Sequence, residues 1–387
     1  MTALTIFHVV VLIALTTLAL QTILNLRAVR RLSDVPPPLH TSPTVSVLIP
    51  ARNEATCIEA CIAAWRRQEY ASYEVLIFDD DSTDETAERA RAAAAGASNV
   101  QVIRGGPLPD GWRGKTHACH RLRDHARGDV LVFADADVVP APLTLACAVG
   151  ALQTGGVHVL SALPSHTSAR PVLRALTAIQ NWAALTLAPL WLRAVRRTPC
   201  FAVMNGQFFM MGAGVYDASG GFGVVSGSLG EDAVLGRRLV ALGYEVELVD
   251  GTRMLACHGY SRYRDLWQAN VRNLAAVLFG SSTMLLVSAA ALATVYLGPL
   301  VLIVLGAALG HAGRTAWTWL PLLECVLSVG ARALVGRRTG HGVLLALLHP
   351  LTVGMLVAMQ LQAFSCGRGH GEVEWRGRRY RAMDEPA

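Results

Sequence analysis

From Leu4 to Leu26 the chain runs through apolar side chains with no acidic or basic residue, His8 being the single titratable group. A helix of about 20 residues crosses the hydrocarbon layer of a bilayer, so this run is long enough to span. A secretory signal carries its positive charges ahead of the apolar stretch, whereas Arg27, Arg30 and Arg31 follow it here. The order favours a retained anchor over residues 1–30, with the chain beyond it on the cytoplasmic side. Pro36, Pro37 and Pro38 then make 31–43 a stiff, extended linker.

Three more apolar stretches lie in the last third: Leu274 to Gly310, Trp317 to Val335 and Val343 to Phe364. The first exceeds one crossing, and its start, with Arg272 and Asn273, is amphipathic. It reads as an interfacial helix leading into a transmembrane helix that bends near Gly298-Pro299. The membrane segments thus occupy 266–364, and a basic tail occupies 365–387. Three crossings would carry that tail outside, yet its arginines between Arg368 and Arg381 favour the inside. Either one stretch does not span or the first is a hairpin, and the sequence leaves both open.

Hydrophobic residues make up 52% and charged residues 16% of the 387, too apolar for a soluble protein of this size. The excess sits at both ends, with a more polar block between. The net charge of +6 comes from arginines beside membrane segments, where anionic headgroups account for them and no nucleic-acid partner is required. None of the eight cysteines has metal-site spacing, and free thiols are expected of a cytoplasmic domain.

The polar block, 44–265, alternates strand and helix. Residues 45–49 form a β-type run ending at Pro50-Ala51-Arg52-Asn53-Glu54, and a helix follows with Ile58, Cys61, Ile62 and Trp65 on one face. Tyr73 to Phe78 ends in Asp79-Asp80-Asp81-Ser82-Thr83-Asp84, an acidic cap for a helix over 84–95. Val100 to Ile103 and Val130 to Phe133 are further strands, the latter ending in Asp135-Ala136-Asp137. Such alternation predicts a mainly parallel sheet flanked by helices, with ligands bound beyond the strands' carboxyl ends. Both acidic clusters fall there. Two carboxylates two residues apart can share a divalent cation and leave positions for diphosphate oxygens, although Asp-x-Asp alone also describes a solvated turn.

In order, Val45 to Glu54, Phe78 to Thr86, Gly114-Lys115, Asp135-Ala136-Asp137 and Glu231-Asp232 resemble the inverting family 2 glycosyltransferases of GT-A fold, over about residues 44–260. Asp81 departs from the glycine usual in that family. The resemblance implies that Arg52 and Glu54 lie against the nucleoside of a nucleotide-diphospho-sugar and that Asp80 accepts hydrogen bonds from its base or ribose. It also implies that Asp135 sits near ribose and metal, that Asp137 ligates Mg2+ or Mn2+, and that Lys115 approaches the diphosphate. Lys115 is the one lysine in the chain, and in a glycine-rich turn it can reach phosphate as a mobile point charge. The family pattern places the base at Asp232, with Glu231 supporting it or contacting the acceptor. An acidic residue at a helix start is equally a good cap.

His258 follows the last strand of the domain, Val246 to Val249, and is either a third metal ligand or a structural histidine. Trp267-Gln268 with Arg272 only faintly resembles the Gln-x-x-Arg-Trp signature of processive synthases. The spacing is one residue too long and no Trp follows the arginine, which argues against a polymerase. Residues 170–197, rich in Trp and Leu, flanked by arginines and interrupted by Pro189, read as an interfacial element that admits a hydrophobic acceptor. Met204 to Phe209 is expected to shape the acceptor pocket. The tail Val373 to Tyr380 resembles the ending of a carotenoid- and hopanoid-associated subgroup. The expectation is therefore a multi-pass, metal-dependent inverting transferase of the cell (inner) membrane, its catalytic domain cytoplasmic, acting on a carotenoid, hopanoid or other isoprenoid lipid. The competing readings are a processive polysaccharide synthase and a non-catalytic membrane scaffold.

Overall fold

In the computed structural model the described residues are 3–38, 42–168, 170–228, 230–259, 262–278, 281–368, 372–375 and 378–381. Tyr260, Arg376 and Gly377, which belong to the sequence motifs above, lie outside them. The chain forms two compact units.

The first unit comprises 29–167, 192–259 and the residues from 374 onward. Its strands are β1 (Val45–Ala51), β2 (Tyr73–Asp79), β3 (Val100–Arg104), β4 (Val130–Ala134), β5 (Val138–Pro140), β6 (Val159–Leu163), β7 (Ser165–Thr167), β8 (Phe208–Gly212), β9 (Val246–Asp250) and β10 (Leu255–His258). Its helices are α2 (Ile58–Trp65), α3 (Thr86–Ala94), α4 (Gly114–His125), α5 (Thr144–Gly155), α7 (Ala213–Ser219) and α8 (Glu231–Ala241). Seven strands form one sheet in the order β3-β2-β1-β4-β8-β6-β9. The β1–β2, β1–β4, β2–β3 and β6–β9 pairs are parallel, and β8 is antiparallel to both its neighbours. Strands β5, β10 and β7 form a second, small sheet.

Period-two alternation builds a core on each face of the sheet. Val47, Ile49 and Val132 pack with Ile58, Ile62 and Trp65 of α2 and Leu145 and Val149 of α5. The alternate residues Leu48, Leu131 and Phe133 pack with Leu122 of α4 and Leu235 and Leu239 of α8. The four apolar positions expected on one face of α2 are all buried. Burial of a large aliphatic side chain contributes about 1.5–3 kcal/mol, so both covers stabilise the edge from which the acidic loops emerge.

The second unit comprises 1–28, 168–191 and 260–373. It contains α1 (Ala3–Ala28), α6 (Pro171–Leu187), α9 (Tyr263–Val277), α10 (Ser282–Leu292), α11 (Gly298–Ala308), α12 (Leu320–Arg338) and α13 (His349–Arg368). A π-helical turn, Ala293–Leu297, joins α10 to α11 at the bend expected near Gly298-Pro299. Four helical stretches are long and apolar enough to cross a membrane: Ala3–Ala28, Ser282–Ala308, Thr315–Arg338 and Leu344–Cys366. Polar groups inside such a bundle need partners, because no water is there to take them. Accordingly His8 Nδ1 lies 2.9 Å from Glu324 Oε1, and Arg332 donates to the carbonyl of Ala178. Helix α6, placed by its sequence within the 44–265 domain, groups instead with these helices. Asn25 and Gln21 of α1 donate to carbonyls at its end, and Leu173 and Leu176 pack on Leu266. Finally, β11 (Glu372–Trp375) and β12 (Arg378–Arg381) form a two-stranded ribbon.

Candidate active site

The predicted residues lie on the loops after β1, β2 and β4, in the turn before β8, at the starts of α4 and α8 and at the end of β10.

The first two loops are laced together. Asn53 Oδ1 accepts from the backbone N–H and hydroxyl of Thr83, and its own N–H donates to Ser82 Oγ. The N–H of Glu54 donates to Thr86 Oγ1 at 2.7 Å, and Cys57 Sγ donates to the Glu54 carboxylate. Arg52 is buried and donates through Nη1 to the carbonyls of both Asp80 and Asp81. Asp81 has φ of 56°, the left-handed region that glycine enters freely and Asp tolerates better than most residues. The departure from the family's glycine is therefore accommodated: the turn keeps its shape, with Arg52 seated on its carbonyls. Asp80 is 2% exposed. Its Oδ2 takes Arg378 Nη1 of β12, while its Oδ1 has no hydrogen-bond partner. Burial raises the Asp80 pKa, opposed by Arg378, Arg52 and His117.

Lys115, in the first turn of α4, organises the other end of the site. Its Nζ lies 2.8 Å from Asp135 Oδ1, 3.0 Å from Glu231 Oε1 and 3.5 Å from the carbonyl of Gly206. Burial opposes its charge, but Asp135, Glu231 and Asp232 together hold the ammonium firmly protonated. In this structure the lysine expected to meet a diphosphate joins two carboxylates, Asp135 and Glu231, to the turn before β8. The turn before it is anchored by Arg113, whose N–H donates to Ser226 O and whose Nε donates to Gly227 O.

Asp232 follows Glu231 at the start of α8. Its Oδ2 accepts the N–H of Gly206 at 2.7 Å and its Oδ1 the N–H of Ala233 at 2.8 Å. A Cβ on Gly206 would stand 2.9 Å from Asp232 Oδ2, so glycine is needed there for the turn to approach the carboxylate. Burial and neighbouring Glu231, opposed by Lys115 and the two N–H donors, push the Asp232 pKa up to about 6.

Asp137 is held from behind. Cys257 Sγ donates to its Oδ2 at 3.1 Å, Gln207 Nε2 contacts that sulfur, and the N–H of His258 donates to the Asp137 carbonyl. Burial and the Asp137 charge keep Cys257 a thiol, able to donate. Its position on β10 was not legible as a site residue.

A metal-dependent reaction needs a cation site here. The donors are carboxylate oxygens, suited to Mg2+ or Mn2+, and Asp135 already carries a cation, the Lys115 ammonium. Among the described residues no three His, Cys, Asp or Glu side chains gather into a metal cage. The expected triad of Asp135, Asp137 and His258 is thus not assembled: His258 meets Asp137 through its backbone, and its residue is exposed. Two carboxylates fit an ion that takes its remaining ligands from a diphosphate and water.

A mainly parallel sheet with these acidic loops beyond its strand ends defines a GT-A glycosyltransferase. The chain belongs to the family described as Glycosyltransferase like family 2, whose profile matches residues 43–277. It is 27% identical over 360 residues to a 4,4'-diaponeurosporenoate glycosyltransferase of Staphylococcus aureus (strain bovine RF122 / ET3-1), covering 88% of this chain and 89% of that protein. A Staphylococcus haemolyticus protein of the same name is 37% identical over 99 residues, a match spanning 25% of its length. The fold is similar to that of a mannosyltransferase from Pyrobaculum calidifontis in complex with GDP-Man and Mn2+, at a TM-score of 0.57 and 20% identity, covering 90% of this chain and 99% of that one.

Proposed function

We propose that the protein transfers one sugar from a nucleotide-diphospho-sugar to an isoprenoid lipid, with inversion at the anomeric carbon. The observation that carries this reading is the Lys115 junction: one ammonium joins Asp135, beside the donor, to Glu231, beside Asp232. Donor-side and acceptor-side carboxylates are thereby held at a fixed relation, as an in-line displacement requires.

Asp232 is the general base. Each of its oxygens accepts one backbone N–H and keeps a lone pair for the proton of an acceptor hydroxyl or carboxyl group as its oxygen attacks the anomeric carbon. The nucleoside diphosphate leaves from the opposite face, and no covalent sugar-enzyme bond forms. Asp135 and Asp137 would hold a divalent cation, which would supply electrostatic stabilisation for the departing diphosphate. Arg52, Glu54 and Asp80 form the nucleoside end. The acceptor class is taken from the carotenoid acceptor in the relatives' name and from the four apolar helices of this chain.

Membranes containing the protein, incubated with a panel of labelled nucleotide sugars, should yield a labelled lipid carrying a single sugar. Asp137→Ala should eliminate that product while the protein still inserts. Label recovered in a polymer, or in no lipid with any donor, would overturn the reading.

A further inference from the structure

One arginine of the basic tail is not available to anionic headgroups. The Arg378 side chain is only 15% exposed and is paired with an Asp80 side chain that is 3% exposed. Arg378 Nη1 donates to Asp80 Oδ2, and Nη2 lies 3.4 Å from the Asp80 carbonyl. Two arginines thus divide the work on one loop. Arg52, from the loop after β1, holds its backbone carbonyls, and Arg378, from β12, holds its carboxylate.

We propose that Arg378 is a positioning residue of the donor site, fixing the Asp80 carboxylate so that its unshared Oδ1 accepts a hydrogen bond from the nucleoside of the donor. The inference rests on the donor-site reading of Asp80 and adds a part of the chain outside the transferase motifs. A buried carboxylate with no charge partner takes up a proton, and its acceptor capacity at that oxygen is then lost. The charged and titratable groups facing Asp80 are Arg378 from β12, Arg52 from the loop after β1 and His117 from α4. Burial lowers the His117 pKa, leaving its imidazole neutral near pH 7. Arg52 donates to the loop's backbone carbonyls, whereas Arg378 hydrogen-bonds the carboxylate itself and, of the opposing charges, acts on it most. A guanidinium also fixes direction: a fork of N–H donors on one oxygen and the adjacent carbonyl leaves the other oxygen without a hydrogen-bond partner.

The test is equilibrium binding of UDP and of GDP, each with Mn2+, to the full-length protein in detergent or nanodiscs. Arg378→Gln should weaken whichever nucleotide the wild type binds by roughly tenfold or more near pH 6, the loss expected of one charge-assisted hydrogen bond. Repeating the measurement at pH 8 should recover part of that loss, because raising the pH favours the ionised Asp80 carboxylate that Arg378 otherwise stabilises. Arg378→Lys, which keeps the charge but loses the fork, should bind between wild type and Arg378→Gln near pH 6. Asp80→Asn should bind weakly at both pH values, having no proton to lose. Wild-type affinity in Arg378→Gln at both pH values would overturn the role of Arg378, as would a loss independent of pH, which marks a merely structural tail. Failure of the wild type to bind either nucleotide would overturn the donor-site reading, and the inference with it.

Discussion

Asp232 combines two features that a base requires: a fixed direction, from two backbone N–H donors, and a pKa raised to about 6. Because the ionised form must accept the proton, kcat/KM should fall by about tenfold per pH unit below that value and level off above it. Lys115 is among the groups holding the Asp232 pKa down, so Lys115→Met should move this limb to higher pH as well as reduce the plateau. A pH–rate profile of both proteins with a hydroxyl acceptor checks this, and an unmoved limb in the variant would assign the base elsewhere. The order of motifs made Asp232, Asp135 and Lys115 legible in the sequence. Their mutual contacts were not, since Lys115 was expected at phosphate and lies on Asp135 and Glu231. Arg378 was hidden for the same reason in stronger form: its partner is 298 residues away, and no local pattern announces such a pair.

At the scale of elements, strands with apolar runs were readable, and β1, β2, β3, β4 and β9 each extend one or two residues beyond the runs that announced them. Strand β8 was not: Phe208 and Phe209 fall in the segment expected to shape the acceptor pocket, although β8 is as long and nearly as buried as β4 and β9. Its antiparallel insertion between β4 and β6 is a long-range choice. Strands β5 and β7 have three residues each, too few to carry a period. The turn into β8 nonetheless controls the chemistry, because Gly206 lies against Asp232. Gly206→Ala should force the turn and the carboxylate apart and lower kcat by about tenfold to a hundredfold, the scale expected of a misplacement near 1 Å. Nucleotide affinity should stay near wild type, since Arg52 and Asp80 are on other loops. Parallel measurement of kcat and of nucleotide binding separates the two effects, and an unchanged kcat would show that the approach of Gly206 is dispensable.

At the scale of the whole molecule, the parity conflict between three apolar C-terminal stretches and a basic tail would be resolved if α13 did not cross the membrane. Helix α13 runs antiparallel to α10 but begins only beside the middle of the Ser282–Ala308 helix. His349 lies against Tyr296 at 5.3 Å between ring centroids, a Cβ on Gly354 would touch Leu297, and Gln360 donates to Ser288. Its last turns pack Met359 and Ala363 on Leu285, near the start of α10. Were α13 to enter at half depth and leave on the side where α10 begins, it would be re-entrant, a geometry tolerated where it is buried in protein. Ala3–Ala28, Ser282–Ala308 and Thr315–Arg338 would then be the full crossings. Arg27, Arg30 and Arg31 would share a side with Arg337 and Arg338, as the positive-inside tendency favours, and the tail would return to that side as well. In a bacterial host, fluorescent-protein fusions after Gly342 and after Ala387 should therefore both glow, and a phosphatase fused after Gly310 should be active. Phosphatase activity at the C-terminus would make α13 a full crossing and separate the tail from the donor site.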